Sequence, residues 1–277
     1  MRPCQQGKGN RETVRSLRPI DEKILKEFAL CRFLTIQQIK TRFFSKGSYT
    51  HVSTLLKRLS LEKYLVCFQP AVQSQSYLYG LGKKGVSYLR SIGVDLSYFP
   101  SEHTRLPSSL HLPHLLATNN ILLAAALFCE QEPEIALIER RHYLTSRQTK
   151  RPVTYDAWIH FLIDGASTSI WVEFDRNTEE QKRIRGKIQA IIAFAMRDYM
   201  SEFGAPLSAI AFITTGGKHR LSQLKQWTQQ ELRETGQEHI AAYFRFACMP
   251  EPDENALELF TSPLWHSMES PEPDYLF

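Results

Sequence analysis

Apolar positions recur at helical spacing through the first sixty residues. The segment 19–32 carries Ile24, Leu25, Phe28 and Leu30, with Pro19 in its first turn, and predicts a helix. Thr35 then reads as an N-cap. Gln38, three residues on, completes a capping box and opens a short helix over 36–44. After the Lys46-Gly47 turn, Ser48 caps a third helix running to about residue 61. Val52, Leu55, Leu56 and Leu59 form its apolar stripe at i, i+3, i+4 and i+7. Two strand-like runs, 65–70 and 76–81, flank a polar tip (Gln73, Ser74, Gln75), and GKKGVSYLR opens a further short helix.

Three short helices followed by a hairpin are the order of a winged helix-turn-helix, whose third helix enters the major groove. The exposed side of that helix comprises Ser48, Tyr49, Thr50, His51, Ser53, Thr54, Lys57 and Arg58, and no acid precedes Glu62. Hydroxyls and bases of this kind bond phosphates and base edges, so double-stranded DNA is the expected partner. A winged helix used only for protein contacts is the competing interpretation.

The second half changes period. Residues 93–109 read as a linker by their Gly, Pro and Ser content. HLPHLLATNNILLAAALFCEQE follows as an apolar helix with Pro113 near its start, which gives His111 and His114 capping or packing roles. Next come a strand at 135–144, a basic loop at 146–151 and two alternating runs around Asp164-Gly165. A helix follows with Ile184, Ile188, Ile191, Ile192, Ala195 and Tyr199 as its stripe. Asn177 and Thr178 are its expected caps, paired with Glu180 and Gln181. A nearly continuous apolar strand at 207–214, a helix at 220–233 and a strand at 239–248 complete an α/β domain with a mixed central sheet over 110–248. Residues 249–277 read as an acidic, largely disordered tail.

The stretch 153–187, VTYDAWIHFLIDGASTSIWVEFDRNTEEQKRIRGK, concentrates the candidate chemistry. Alternation puts Asp156 on one face of the first run, and Glu173 with Asp175 on one face of the second. If Asp164-Gly165 is a two-residue turn, Ile163 pairs with Ala166 and residue 156 with 173. A four-residue turn would set 156 opposite 175. Either register brings like charges within roughly 5 Å at Cβ, an unfavourable arrangement unless a cation lies between them. Lys187 sits at the edge of the following helix's apolar stripe, where its stem packs and its ammonium emerges beside the sheet, or else snorkels to solvent.

Charge is graded along the 277 residues. Residues 1–100 hold 17 Lys and Arg against 6 Asp and Glu, a net of +11, whereas the remainder nets −6. A basic N-terminal third, with a flexible arm at 1–18, suits a polyanion. The five cysteines are scattered and include no CxxC pair, so reduced thiols in a cytoplasm are expected rather than disulfides or a zinc site. No uninterrupted apolar run reaches the ~18 residues of a membrane span, so no membrane role is expected. No glycine-rich phosphate loop or nucleophile elbow is present.

Two carboxylates and a lysine are the parts of a metal-dependent nuclease, in which oxygen ligands hold Mg²⁺ or Mn²⁺. The pattern resembles the PD-(D/E)XK nuclease superfamily. More closely, the two-part layout resembles the bacterial replication-relaxation family of plasmid and mobile-element proteins. The segments that carry the likeness are YLYGLGKKGVSYL, HLPHLLATNNILL, RPVTYDAW, VEFDRNTE and KIQAIIAF. The resemblance implies that Asp156 and Glu173 are metal-binding carboxylates and that the second domain has a nuclease-like fold. Two departures stand out. Pro152 precedes Asp156 by four residues, and Asp175 occupies the place of the superfamily's lysine. Lys187 is the candidate substitute, and Asp175 is either a third metal ligand or the mark of a domain that binds DNA without cutting it. Glu130 and Glu139 are candidates for a further helix glutamate. The expected functions are therefore a Mg²⁺- or Mn²⁺-dependent DNA nickase or endonuclease, or a non-catalytic replication or transcription regulator. In both cases protein partners of a replication or mobile-element complex are expected. An interaction scaffold is the remaining alternative.

Overall fold

The computed structural model describes residues 17–44, 46–68, 76–96, 111–143, 153–250, 255–270 and 272–277. Most of the basic arm, the hairpin tip, most of the linker, the basic loop and Pro152 lie outside these residues.

The N-terminal half begins with α1 (Pro19–Cys31), β1 (Phe33–Thr35), α2 (Ile36–Phe43) and α3 (Tyr49–Leu61). The strands β2 (Leu65–Phe68) and β3 (Leu78–Leu81) and the helix α4 (Lys83–Ser91) follow. The expected capping box is formed, with Gln38 N donating to Thr35 Oγ1 at 3.1 Å and Thr35 N donating to Gln38 Oε1 at 3.0 Å. Ser48 caps α3, accepting from His51 N at 3.1 Å. The extended segment β1, which periodicity does not reveal, pairs with β3 to give an antiparallel sheet of order β1-β3-β2. Ile24, Leu25, Phe28, Val52, Leu56, Leu59 and Leu81 fill the core beneath it.

The second sheet has five strands in the order β4-β5-β6-β7-β8. They are β4 (Ile135–His142), β5 (Ala157–Ile163), β6 (Ala166–Asp175), β7 (Leu207–Thr214) and β8 (Phe244–Cys248). The first three are antiparallel, whereas β6, β7 and β8 run parallel, so the sheet is mixed. The turn between β5 and β6 has two residues. Asp164 (φ 49°) and Gly165 (φ 79°) both take the positive φ of a primed turn, and Ile163 pairs with Ala166. This is the first of the two registers considered above. One face of the sheet packs on α5 (Leu112–Gln131), and the other on α6 (Gln181–Arg197) and α8 (Gly217–Thr235).

Four local expectations change. The helix α6 begins after Glu180 with no side-chain cap, so Asn177 and Thr178 precede it. A short helix, α7 (Tyr199–Phe203), intervenes before β7. Residues 238–243 form a 3-10 helix, which shortens the last strand to Phe244–Cys248. Most of the acidic C-terminal segment is ordered: α9 (Glu258–Thr261), Trp265 and Leu276 are buried in the core shared by α5 and β5. Trp265 Nε1 donates to Leu259 O at 2.6 Å, and Phe277 stacks on Phe128 with centroids 6.1 Å apart.

The helix α5 does have the length and mean hydropathy (1.5) of a membrane span, but 67% of that window is buried within the fold. It packs on both halves. Ile121, Leu122 and Phe128 face the large sheet, while Leu123 enters the N-terminal core. Its polar side chains hold α2, since Gln38 Nε2 donates to Leu116 O at 2.8 Å and to Asn120 Oδ1 at 2.7 Å. Cys31, Cys67, Cys129 and Cys248 are free thiols.

Candidate functional site

Asp156 directly precedes β5 and continues its ladder, with its N–H donating to Val172 O at 3.1 Å. This places it beside the C-terminal part of β6, where Glu173 lies on the face covered by α6. On α6, Lys187 follows Ile184 by three residues and precedes Ile191 by four. It therefore shares their buried stripe, and its ammonium reaches the strand ends. Lys187 Nζ contacts Glu173 Oε2 and lies 3.8 Å from Asp156 Oδ2. Two carboxylates thus converge on one cationic nitrogen, and the helix supplies it.

The surroundings fix both acids. Asp156 Oδ2 accepts from Phe174 N at 2.8 Å, and Oδ1 lies 2.9 Å from His114 Nε2 at the start of α5. His114 also packs edgewise on Tyr143 (6.2 Å) and at a tilt on Phe174 (5.5 Å). Glu173 is only 1% exposed, and its Oε1 accepts from Trp171 Nε1 at 2.5 Å. Burial opposes ionisation of Asp156, but Lys187, His114 and the Phe174 amide outweigh it and hold the carboxyl at about 2. Glu173 goes the other way. Burial and the Asp156 charge push it up to about 7 despite Lys187. Desolvation opposes the charge on Lys187, yet the two acids raise it above its ordinary value. One acid is thus firmly ionised, the other titrates near neutrality, and the lysine remains cationic.

Asp175 is elsewhere engaged. Arg220 on α8 donates to it through Nε (2.8 Å) and Nη2 (3.1 Å), and Thr214 Oγ1 donates at 2.9 Å. Gly216 is required here, because a Cβ would meet Arg220 Cβ at 2.5 Å. Among the described residues, no three His, Cys, Asp or Glu side chains are placed to hold a metal ion. Glu130 is paired with Arg42 (2.7 and 2.8 Å) and Glu139 with Arg141 (2.7 and 3.0 Å), so both are committed outside the cluster. The sequence position of His114 points to capping or packing, whereas the structure brings it to Asp156. Its contact with Asp156 spans 42 residues and has no local signature beyond the HLPH spelling.

On α3 the side chains Ser48, Tyr49, Thr50, His51, Thr54 and Lys57 are exposed, and Ser53 is half-buried. Arg58 differs from them. It is ion-paired with the fully buried Asp21 at 2.7 Å and with Glu62 at 3.1 Å, so it braces α3 against α1.

These features define a mixed α+β protein in which one shared helix joins a small antiparallel sheet to a larger mixed sheet carrying an acid–lysine–acid cluster. The chain belongs to the replication-relaxation family, whose model matches residues 25–202, a span that includes α3, His114, Asp156, Glu173 and Lys187. No curated protein and no solved structure matches it.

Proposed function

We propose that the protein binds double-stranded DNA of a plasmid or mobile element and nicks or cleaves it at the Asp156–Glu173–Lys187 cluster during replication or DNA processing. The observation that carries this reading is Lys187 reaching both carboxylates from α6. It stands in for the lysine whose strand position Asp175 occupies. On this reading the N-terminal half has a winged-helix role, and the exposed row from Ser48 to Lys57 on α3 contacts DNA. The second half has a nuclease-like role. The working compartment is the cytoplasm, and other proteins of a replication complex are the expected company.

The donor set fits a small hard cation. Asp156 is ionised, and Glu173 Oε2 has no hydrogen-bond donor apart from its ion pair with Lys187. Mg²⁺ is commonly held by one or two carboxylates, with waters and substrate phosphate completing its shell. Asp156 and Glu173 would hold it, and it would supply polarisation of the scissile phosphate and a more acidic water. His114 fixes the orientation of the Asp156 carboxylate. Lys187 would neutralise charge that develops on a phosphate oxygen.

One observation favours a second reading. Lys187 already lies between the two acids, so a positive charge is present in the cluster without a metal ion. A non-catalytic DNA-binding regulator of replication or transcription fits that state. Supercoiled plasmid incubated with the protein and Mg²⁺ or Mn²⁺ separates the two. Nicking that disappears in Asp156→Ala, Glu173→Ala and Lys187→Ala supports the first reading. Tight binding with no cutting by any version supports the regulator, and cutting that survives all three substitutions removes the site assignment.

A further inference from the structure

Arg32 joins α1 to β1 in an unusual backbone state. Its φ of 65° and ψ of −52° fall in the region of the strained γ-turn, which side-chain-bearing residues rarely adopt. The strain is held from α5. Asn119, fully buried, donates from Nδ2 to the carbonyls on both sides of it, Cys31 O at 3.2 Å and Phe33 O at 2.7 Å. Backbone strain maintained by a dedicated clamp is characteristic of residues whose side chain must be aimed.

The side chain also stands apart from its neighbours. Arg42 and Arg140, half-buried like Arg32, both meet Glu27, and the buried Arg220 meets Asp175. Arg32 is half-buried, its Nε is buried without a hydrogen-bond partner, and it meets no carboxylate among the described residues. The Phe33 ring lies 5.4 Å below the guanidinium. Its charge acts on His142 and Tyr143 at the end of β4. Those rings stack on each other at 4.7 Å, Tyr143 packs on His114, and Tyr143 N donates to Asp156 O at 3.2 Å. A partly desolvated guanidinium that meets no anion among the described residues, on a residue clamped by the same helix whose His114 reaches Asp156, is a receptor for one.

We propose that Arg32 is a DNA-phosphate contact of the Asp156 centre, delivered to it from the N-terminal half by the Asn119 clamp. The inference rests on the DNA-binding reading above. The bound phosphate would lie beside the cluster rather than on α3, so the duplex would be held by both halves of the chain at once.

The test is the salt dependence of duplex binding by the full chain without metal, comparing wild type with Arg32→Gly and Arg32→Gln. Glycine accepts the positive φ, so its melting temperature should equal or exceed that of wild type. Losing one phosphate contact should lower the slope of log K against log salt by ~0.9. Such a drop in both variants, with Arg32→Gly no less stable, supports the proposal. An unchanged slope in either folded variant overturns it, as does a lower melting temperature of Arg32→Gly with unchanged binding, which marks a purely structural arginine. Absence of duplex binding by the wild type would instead refute the DNA-binding reading on which the inference rests.

Discussion

Arg220 grips both carboxylate oxygens of Asp175, 45 residues away, with Nε at 2.8 Å and Nη2 at 3.1 Å. Both side chains are nearly inaccessible, so this pair ties the end of β6 to α8 with its charges largely removed from water. Removing one partner leaves the other charge buried. Asp175→Ala or Arg220→Ala should each lower unfolding free energy by about 3–5 kcal/mol. Replacing both by apolar residues of similar volume should recover most of the loss. Denaturant titration of the two single variants and the double variant measures the coupling directly.

Lys187→Met removes the cation between Asp156 and Glu173 while keeping the apolar stem. Two carboxylates then face each other, and Glu173 has almost no access to solvent. The variant should lose less than the ~3–5 kcal/mol of a fully buried pair, because Lys187 is 27% exposed and partly screened. Its deficit should shrink as pH falls and the acids protonate. Adding Glu173→Gln should restore stability at neutral pH.

His142 has a pKa lowered to about 3, mainly by complete burial, with the charges of His114 and Arg32 acting in the same direction. Its unfolded value is about 6.5. Between these two values the unfolded chain binds a proton that the folded chain refuses. Stability linked to this group is therefore present above pH ~6.5 and is lost as pH falls toward 3. Glu173, raised to about 7, contributes with the opposite sign over the same range, so the test is the difference between variants: from pH 7.5 to 4.5 the unfolding free energy of His142→Phe should rise relative to that of wild type. A slope unaffected by the substitution would assign the pH dependence to other groups.

Lys57 and Arg58 are adjacent on α3 but should behave differently. Lys57 is exposed, and Lys57→Ala should reduce the salt slope of DNA binding by ~0.9 with little change in stability. Arg58 braces the buried Asp21, which Arg18 also contacts at 3.0 Å. Arg58→Ala should therefore cost stability, on the order of 1–3 kcal/mol, before it costs binding. Melting temperature and the salt slope, measured on both variants, separate the two roles.

Local chemistry made the backbone legible. Asp164-Gly165 is the residue pair that a primed turn favours, and from it the β5–β6 register and the neighbourhood of Asp156 and Glu173 follow by counting. Lys187 was legible because helical spacing places it with Ile184 and Ile191. The partners drawn from far along the chain were not. Arg220 takes Asp175 out of the cluster, and His114 crosses from the opposite helix to Asp156, and no periodicity encodes either meeting. The C-terminal segment shows the reverse error. Its acids and prolines suggested disorder, yet Phe260, Trp265 and Leu276 supply enough buried apolar surface to order it against α5 and β5.

Helix α5 contributes Leu123 to one core and Phe128 to the other, while Gln38, Arg42 and the Cys31–Phe33 backbone are bonded to it directly. A joint built this way behaves as a ruler rather than a hinge. If the chain binds and cuts DNA as proposed, a duplex seated on α3 would meet the Asp156 centre at a set span, and strand breaks would fall at one constant offset from the bound sequence, independent of the bases between.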